Sequence, residues 1–268
     1  MEGVLIGNWV IGHWVIGHWI IGNWIIGVLV REVSAPSLKI WKMESVREKY
    51  IPRLFVPLEA EMLLSVQNYY LVDKQIVYFH EELQMYVITV INENEDYDET
   101  DYKQLPFEAP YQLIQAKLVF MQSPTNNHQA ILMRLSASLF NFVEQYKLGQ
   151  VRFAPLDVKF DEHNIFQPDL MFISIKRSSI IKKWIFGAPD FIVEILSPST
   201  EKYDREKKMP IYAKYEVLEY WLVDVKGEKI EVYHNHRKKM KLVQIAEKTD
   251  TIRSVAIEGL ELELWKVF

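Results

Sequence analysis

The sequence predicts an α/β fold, with helices flanking a mixed β-sheet over residues 106–268 and a small β-rich module ahead of it. Three observations predict this. Past Pro106, apolar residues recur at helical spacing in two segments, about 127–146 and 201–215. Short runs rich in β-branched and aromatic residues fill most of the remainder up to residue 245. The resulting order of strand, helix, several strands, helix and strands suits a mixed sheet better than an all-parallel doubly wound one.

From Ile6 to Ile26 the chain repeats a pentapeptide, IGNWV, IGHWV, IGHWI, IGNWI, with tryptophans at Trp9, Trp14, Trp19 and Trp24. On a helix each unit advances ~140°, which scatters the tryptophans around the axis, so an amphipathic helix is not expected. Two readings stand. The apolar, uncharged run from Gly3 to Leu29 is long enough to span a bilayer, although Asn, His and Gly recur in it. Alternatively, residues 1–42 are a spurious extension, a translated tandem repeat ahead of a start at Met43. On this second reading no stable membrane association is expected.

Residues 43–105 read as a small module ending in a linker. A short helix is expected around Leu58 to Leu64, and Tyr69 to Ile91 carries two or three β-rich stretches. The acidic run from Glu93 to Asp101 reads as a solvated loop between this module and the main domain.

The main domain, 106–268, opens with a strand or hairpin at Tyr111–Met121. Ser123-Pro124-Thr125 breaks it before a helix from about Asn127 to Tyr146, where Ile131, Leu132, Leu135, Leu139, Phe142, Val143 and Tyr146 make one apolar face and Gly149 is the stop. Strands are expected at 151–160, 169–175, 191–196, 220–225, 230–233 and 241–245. The second helix, Glu201 to Tyr215, follows Ser197-Pro198-Ser199-Thr200, whose hydroxyls can cap its first turn.

With 49% hydrophobic residues the chain can bury a core. It contains no cysteine, which excludes a disulfide scaffold, a thiolate zinc site and a cysteine nucleophile, and which fits the cytoplasm. A formal charge of -5 gives no overall attraction to phosphate, so contact with nucleic acid would rest on local clusters such as Lys182-Lys183 and Arg237-Lys238-Lys239.

Three residues call for a chemical explanation. Glu194 sits in FIVEIL, apolar on both faces, where an ionised carboxylate needs a cation, a shifted pKa or a metal. Asp169 follows Pro168 at a strand start, free to share an ion with Glu194 if the strands adjoin. Lys208 lies on the following helix, four residues from both Asp204 and Tyr212 and so on one face with them. Two carboxylates suit Mg²⁺ or Mn²⁺, and a facing lysine can stabilise charge building on a phosphate. The same residues also permit ordinary readings: an ion-paired Glu194, a turn aspartate and a surface Asp204–Lys208 pair.

The segments QPDLMFIS, GAPDFIVEILSPST and YDREKKMPIYAKYEVLEYWLVD strongly resemble the Uma-type endonuclease family, once a domain of unknown function, of the PD-(D/E)xK superfamily. The match is dense over 167–224 and weaker out to Tyr111 and Phe268. It implies a restriction endonuclease-like sandwich, Asp169 and Glu194 as metal ligands, and Lys208 as the catalytic lysine, displaced from Leu196 to the next helix. Where relatives carry a YELIDGEL-like segment, this chain has YQLIQAKL, so Gln112 and Gln115 replace acids and Ala116 replaces glycine. Gln112 can still offer an oxygen; His128 reads more readily as a helix-start packing residue than as a phosphate or water contact at the cleft, and Asp190 reads as a turn or supporting residue.

The expected function is therefore Mg²⁺- or Mn²⁺-dependent cleavage of nucleic acid, with DNA as the expected substrate and a homodimer suggested by analogy. The missing acids motivate an alternative, a weakened nuclease-fold protein that binds DNA without cutting it.

Overall fold

The computed structural model describes residues 91–106 and 109–268 in full, and before residue 91 the backbone of seven strands. Two compact units divide the chain, Met1–Val90 and Ile91–Phe268. In the first, β1 (Val4–Ile11), β2 (Trp14–Ile21) and β3 (Trp24–Arg31) form an antiparallel sheet. Successive strands begin two pentapeptide units apart, and the doubled repeat is even, as the two-residue period of a strand requires. A second sheet has the order β4-β7-β6-β5, from β4 (Phe55–Leu58), β5 (Tyr70–Val72), β6 (Gln75–His80) and β7 (Met85–Thr89). The expected β-rich stretches are thus strands. Leu58 ends a strand rather than opening a helix, and the rest of that segment, like Met43, lies outside the described residues. No helix among the described residues is long and apolar enough to cross a membrane.

The second unit begins at Ile91, so the acidic run does not behave as a free linker. Asp98 caps α1 (Glu99–Tyr102), accepting from Thr100 N at 2.6 Å, and Asp101 returns a bond to the Asp98 backbone. Glu99 pairs with Lys103 and Lys159, and Tyr97 is buried. The like charges are offset by a capping box and by three lysines, Lys117 pairing with Asp96, which a charge count along the sequence does not reveal.

A hairpin follows, β8 (Tyr111–Ile114) and β9 (Lys117–Phe120), turning at Gln115 and Ala116 with φ of 51° and 62°. Both are left-handed, a conformation costing an L-residue ~1–2 kcal/mol. Ala116→Gly is expected to stabilise the chain by about 1 kcal/mol, read as a higher urea midpoint with an unchanged slope. No shift in midpoint would show that the turn is relaxed with alanine.

Helix α2 (Asn126–Tyr146) is capped by Thr125 Oγ1 and buries Ile131, Leu132, Leu135, Leu139 and Val143. It ends on left-handed Lys147, not on Gly149. Gly149 instead starts β10 (Gly149–Phe153), where a Cβ would stand 2.1 Å from the Ile173 carbonyl oxygen. The glycine serves strand contact rather than helix termination.

Thereafter come β11 (Val158–Asp161), β12 (Asn164–Phe166), β13 (Leu170–Ser174), β14 (Ile185–Phe186), β15 (Phe191–Ile195), α3 (Glu201–Tyr203), α4 (Met209–Lys214), β16 (Glu219–Asp224), β17 (Lys229–Asn235), β18 (Met240–Glu247), β19 (Thr251–Arg253) and β20 (Glu261–Glu263). Six of these make a mixed sheet, β10-β13-β15-β16-β17-β18, in which only β15 and β16 run parallel. A five-stranded sheet, β14-β11-β12-β8-β9, accompanies it, and β19 pairs with β20. Residues 91–268 thus form a mixed α/β unit, with helices flanking mixed sheets as expected.

Side chains alternate across the large sheet. Leu170, Phe172, Phe191, Val193, Trp221 and Val223 join the α2 core, while Met171, Ile192, Tyr220 and Leu222 join the opposite core beside Tyr212. Each such fully buried large side chain stabilises the fold by ~1.5–3 kcal/mol. Glu219 is the fully buried acid of the sheet, and it accepts from Trp221 Nε1, Ser254 Oγ, Val255 N and Ala256 N at 2.6 to 2.9 Å. Those bonds tie the C-terminal segment to the sheet.

Residues 201–214 depart from the single α-helix expected. Between α3 and α4 the chain makes a π-turn, Asp204–Lys208, in which Met209 N–H reaches back to Asp204 O. The preceding hydroxyls of Ser197, Ser199 and Thr200 bond one another, and none caps α3 by its side chain.

Candidate active site

Strand register brings the two acids side by side. β13 and β15 are antiparallel with Leu170 opposite Val193 and Met171 opposite Ile192, so Asp169, one residue before β13, stands opposite Glu194. Asp169 Oδ2 accepts from Ile195 N at 2.7 Å, and its own carbonyl accepts from Ala154 N at 3.1 Å. The side chain is therefore held across the end of the sheet. Glu194, only 3% exposed, shares the face of Ile192 and points to the turn carrying Lys208.

Lys208 Nζ donates to Glu194 Oε1 at 3.1 Å and forms an ion pair with Asp204 Oδ1 at 2.9 Å. Tyr212 OH donates to the same Glu194 Oε1 at 2.6 Å, and Tyr220 OH to the Asp204 carbonyl at 3.3 Å. Asp204 and Lys208 are as buried as Glu194, so the surface ion pair allowed by the sequence is in fact an interior one. At the rim His128 Nε2 lies 3.2 Å from Asp169 Oδ2, while His128 Nδ1 is buried without a hydrogen bond. The structure thus gathers Asp169, Glu194, Asp204, Lys208 and His128.

Gln112 is not joined to that group by a hydrogen bond. It lies on β8 of the other sheet, buried, with Oε1 unbonded. Asp190 accepts from Ser174 N at 2.7 Å and pairs with Arg177, a support at the other end of β15. Tyr212 and Tyr220 contact the site but received no role from the sequence. Tyr212 had a signal in its spacing from Lys208, and Tyr220 in its alternation with Leu222.

Charge in this pocket is unbalanced. Burial pushes the Glu194 carboxyl up to about 8, aided by Asp204 and Asp169 and opposed by Lys208. Burial works against the Lys208 ammonium, but the charges of Asp204 and Glu194 outweigh it and raise its pKa. His128 is raised likewise, because its bond to Asp169 and the charges of Asp169 and Asp204 overcome burial. The folded chain then holds protons on Glu194 and His128 more tightly than the unfolded chain does. Their contribution is full below about 4.5, the ordinary Glu value, and is lost as pH rises through about 8 for Glu194 and through the raised pKa of His128. In the metal-free protein the urea midpoint is expected to fall across that window, with a flatter profile in Glu194→Gln. An equally steep profile in that variant would place the titration elsewhere.

Asp169 Oδ1 and Glu194 Oε2 stay outside these contacts, so a pair of carboxylate oxygens can still turn to a cation. An oxygen-only set of this kind fits a hard divalent ion. Among the described residues no three His, Asp or Glu side chains are grouped closely enough to form a full ligand cage.

Of the basic groups, the Arg237-Lys238 turn joins β17 and β18 at the end of the sheet remote from Asp169 and Glu194, whereas Lys182-Lys183 precedes β14, which pairs with β11 of the five-stranded sheet.

Residues 99–264 match the model of the Uma2 family, described as "Putative restriction endonuclease". An uncharacterized protein, slr1290, of Synechocystis sp. is 29% identical over 130 residues, covering 47% of this chain and 66% of its own length, so just under two thirds of that relative is matched. A crystal structure described as a "putative nuclease belonging to DUF820" from Anabaena variabilis superposes with a TM-score of 0.54 at 20% identity, over 63% of this chain and 96% of its own.

Proposed function

The chain belongs to the Uma2 restriction endonuclease-like family, and from that premise we propose that it is a divalent-metal-dependent endonuclease cutting phosphodiester bonds of nucleic acid, DNA first. One observation carries this reading: a buried lysine amine lies 3.1 Å from Glu194, the acid that strand register sets opposite Asp169. Asp169 and Glu194 would hold Mg²⁺ or Mn²⁺, with Gln112 a further oxygen donor if it turns towards them. The ion would supply charge neutralisation at the phosphate and a more acidic water.

The chain's own groups have separable tasks. Lys208, kept charged by Asp204, stabilises negative charge developing on the phosphate oxygens. Tyr212 fixes the orientation of Glu194, and Ile195 N–H and His128 fix Asp169. A dry pocket strengthens each of these interactions. The absence of cysteine supports a reducing cytoplasm as the place of action.

The purified full chain is expected to nick supercoiled plasmid with Mg²⁺ or Mn²⁺ and to stop on addition of EDTA. Cleavage that continues in EDTA would remove the metal from the proposal. Gln112 in place of an acid favours a second reading, DNA binding without cleavage, which predicts salt-sensitive binding that EDTA leaves unchanged and no nicking with either ion.

A further inference from the structure

The π-turn has a local cause, and that cause bears on Lys208. In an unbroken α-helix the N–H of residue 210 would bond the carbonyl of Glu206. Pro210 has no N–H, and its ring collides with a carbonyl four residues back. The chain avoids the collision by widening the turn before it, so that Met209 N–H bonds Asp204 O, five residues back, instead of Arg205 O. Wide turns of this kind occur mostly as single insertions inside helices, frequently at functional sites. Here the widened residues are the five from Asp204 to Lys208, and their two buried members are Asp204 and Lys208.

We propose that Pro210 is a positioning residue, which by holding the π-turn open keeps the Lys208 amine between Asp204 and Glu194. The phase of the helix explains how. Tyr212 lies beyond the proline on α4 and is anchored to Glu194 Oε1 at 2.6 Å. Lys208 and Asp204 lie before it, and Lys208 must reach the same oxygen at 3.1 Å while pairing with Asp204. An alanine at 210 restores the missing N–H, allows a bond to Glu206 O and tightens the turn. The tighter turn re-phases Asp204 and Lys208 against Tyr212, and one oxygen of Glu194 can no longer take both donors. Pro210 is itself exposed, so its removal takes nothing from the core.

The test is Pro210→Ala in the full chain, with two readouts. The first needs no activity: acylation of lysines by an amine-reactive ester, mapped by mass spectrometry. Lys208 is 2% exposed and is expected to stay unmodified in the parent chain but to react in the folded variant, at a temperature well below the variant's own melting point. The second rests on the nuclease reading. In Mg²⁺, kcat for nicking should fall by about 100-fold, as for a catalytic group displaced by about 1 Å, while KM stays within about twofold. Lys208 still protected in the variant, or a variant that cuts at the parent rate, would overturn the inference. A parent chain that never cuts would sink the nuclease reading alone, since the acylation result decides the positioning claim without it.

Discussion

Nicking by the Glu194→Ala chain is expected to drop below about 1% of the parent rate, the scale on which preorganised electrostatic groups act. Two losses combine in that variant. One of the two opposed carboxylates goes, and Lys208 and Tyr212 lose the oxygen to which both donate at 3.1 and 2.6 Å. Glu194→Gln separates them, because its amide oxygen can still accept from Lys208 and Tyr212 while the negative charge is gone. If charge at this position is what matters, both variants are inactive, yet the glutamine chain keeps a melting curve close to the parent. Full cleavage by either variant would show that the acid pair is not the site of chemistry.

Lys208→Ala is expected to lose ~3–5 kcal/mol of stability, measured as a fall in urea midpoint, because it leaves buried Asp204 without its cation and Glu194 without one of its donors. Surface ion pairs are worth ~1 kcal/mol or less, so the size of the loss tells an interior pair from an exterior one. Restoring balance should restore stability: Glu194→Gln and Asp204→Asn added to Lys208→Met leave no unpaired charge in the pocket. That triple variant is expected to regain most of the loss and none of the activity. A loss under about 1 kcal/mol for Lys208→Ala would mean that water reaches the pair.

Much of this arrangement was legible in the residues. Glu194 could be singled out because FIVEIL leaves a carboxylate nowhere to go but a buried face, and Lys208 because its four-residue spacing from Asp204 and Tyr212 survives even in a widened turn. The partnership of Asp169 with Glu194 depended on β13 and β15 adjoining. No local pattern fixes that adjacency, and the resemblance to a known family supplied what periodicity could not. The π-turn escaped because a four-residue spacing reads alike in an α-helix and in a turn with one wide bond, although Pro210 was visible. The docking of residues 93–105 escaped for another reason. Glu99 pairs with Lys159 and Asp96 with Lys117, both distant in sequence, and a charge run read alone looks solvated. Gly149 resembled a helix stop until β13 was found against it.

One consequence lies in the distance between the acids and the basic Arg237-Lys238 turn. Along the strand direction that turn and Asp169 are separated by the length of β13, and five residues of strand rise ~17 Å. Along a duplex that equals about five base steps. A polynucleotide held by both regions would be gripped well to one side of its scissile bond, so its shortest good substrate should be asymmetric about the cut, and the length of a single strand would act as the ruler.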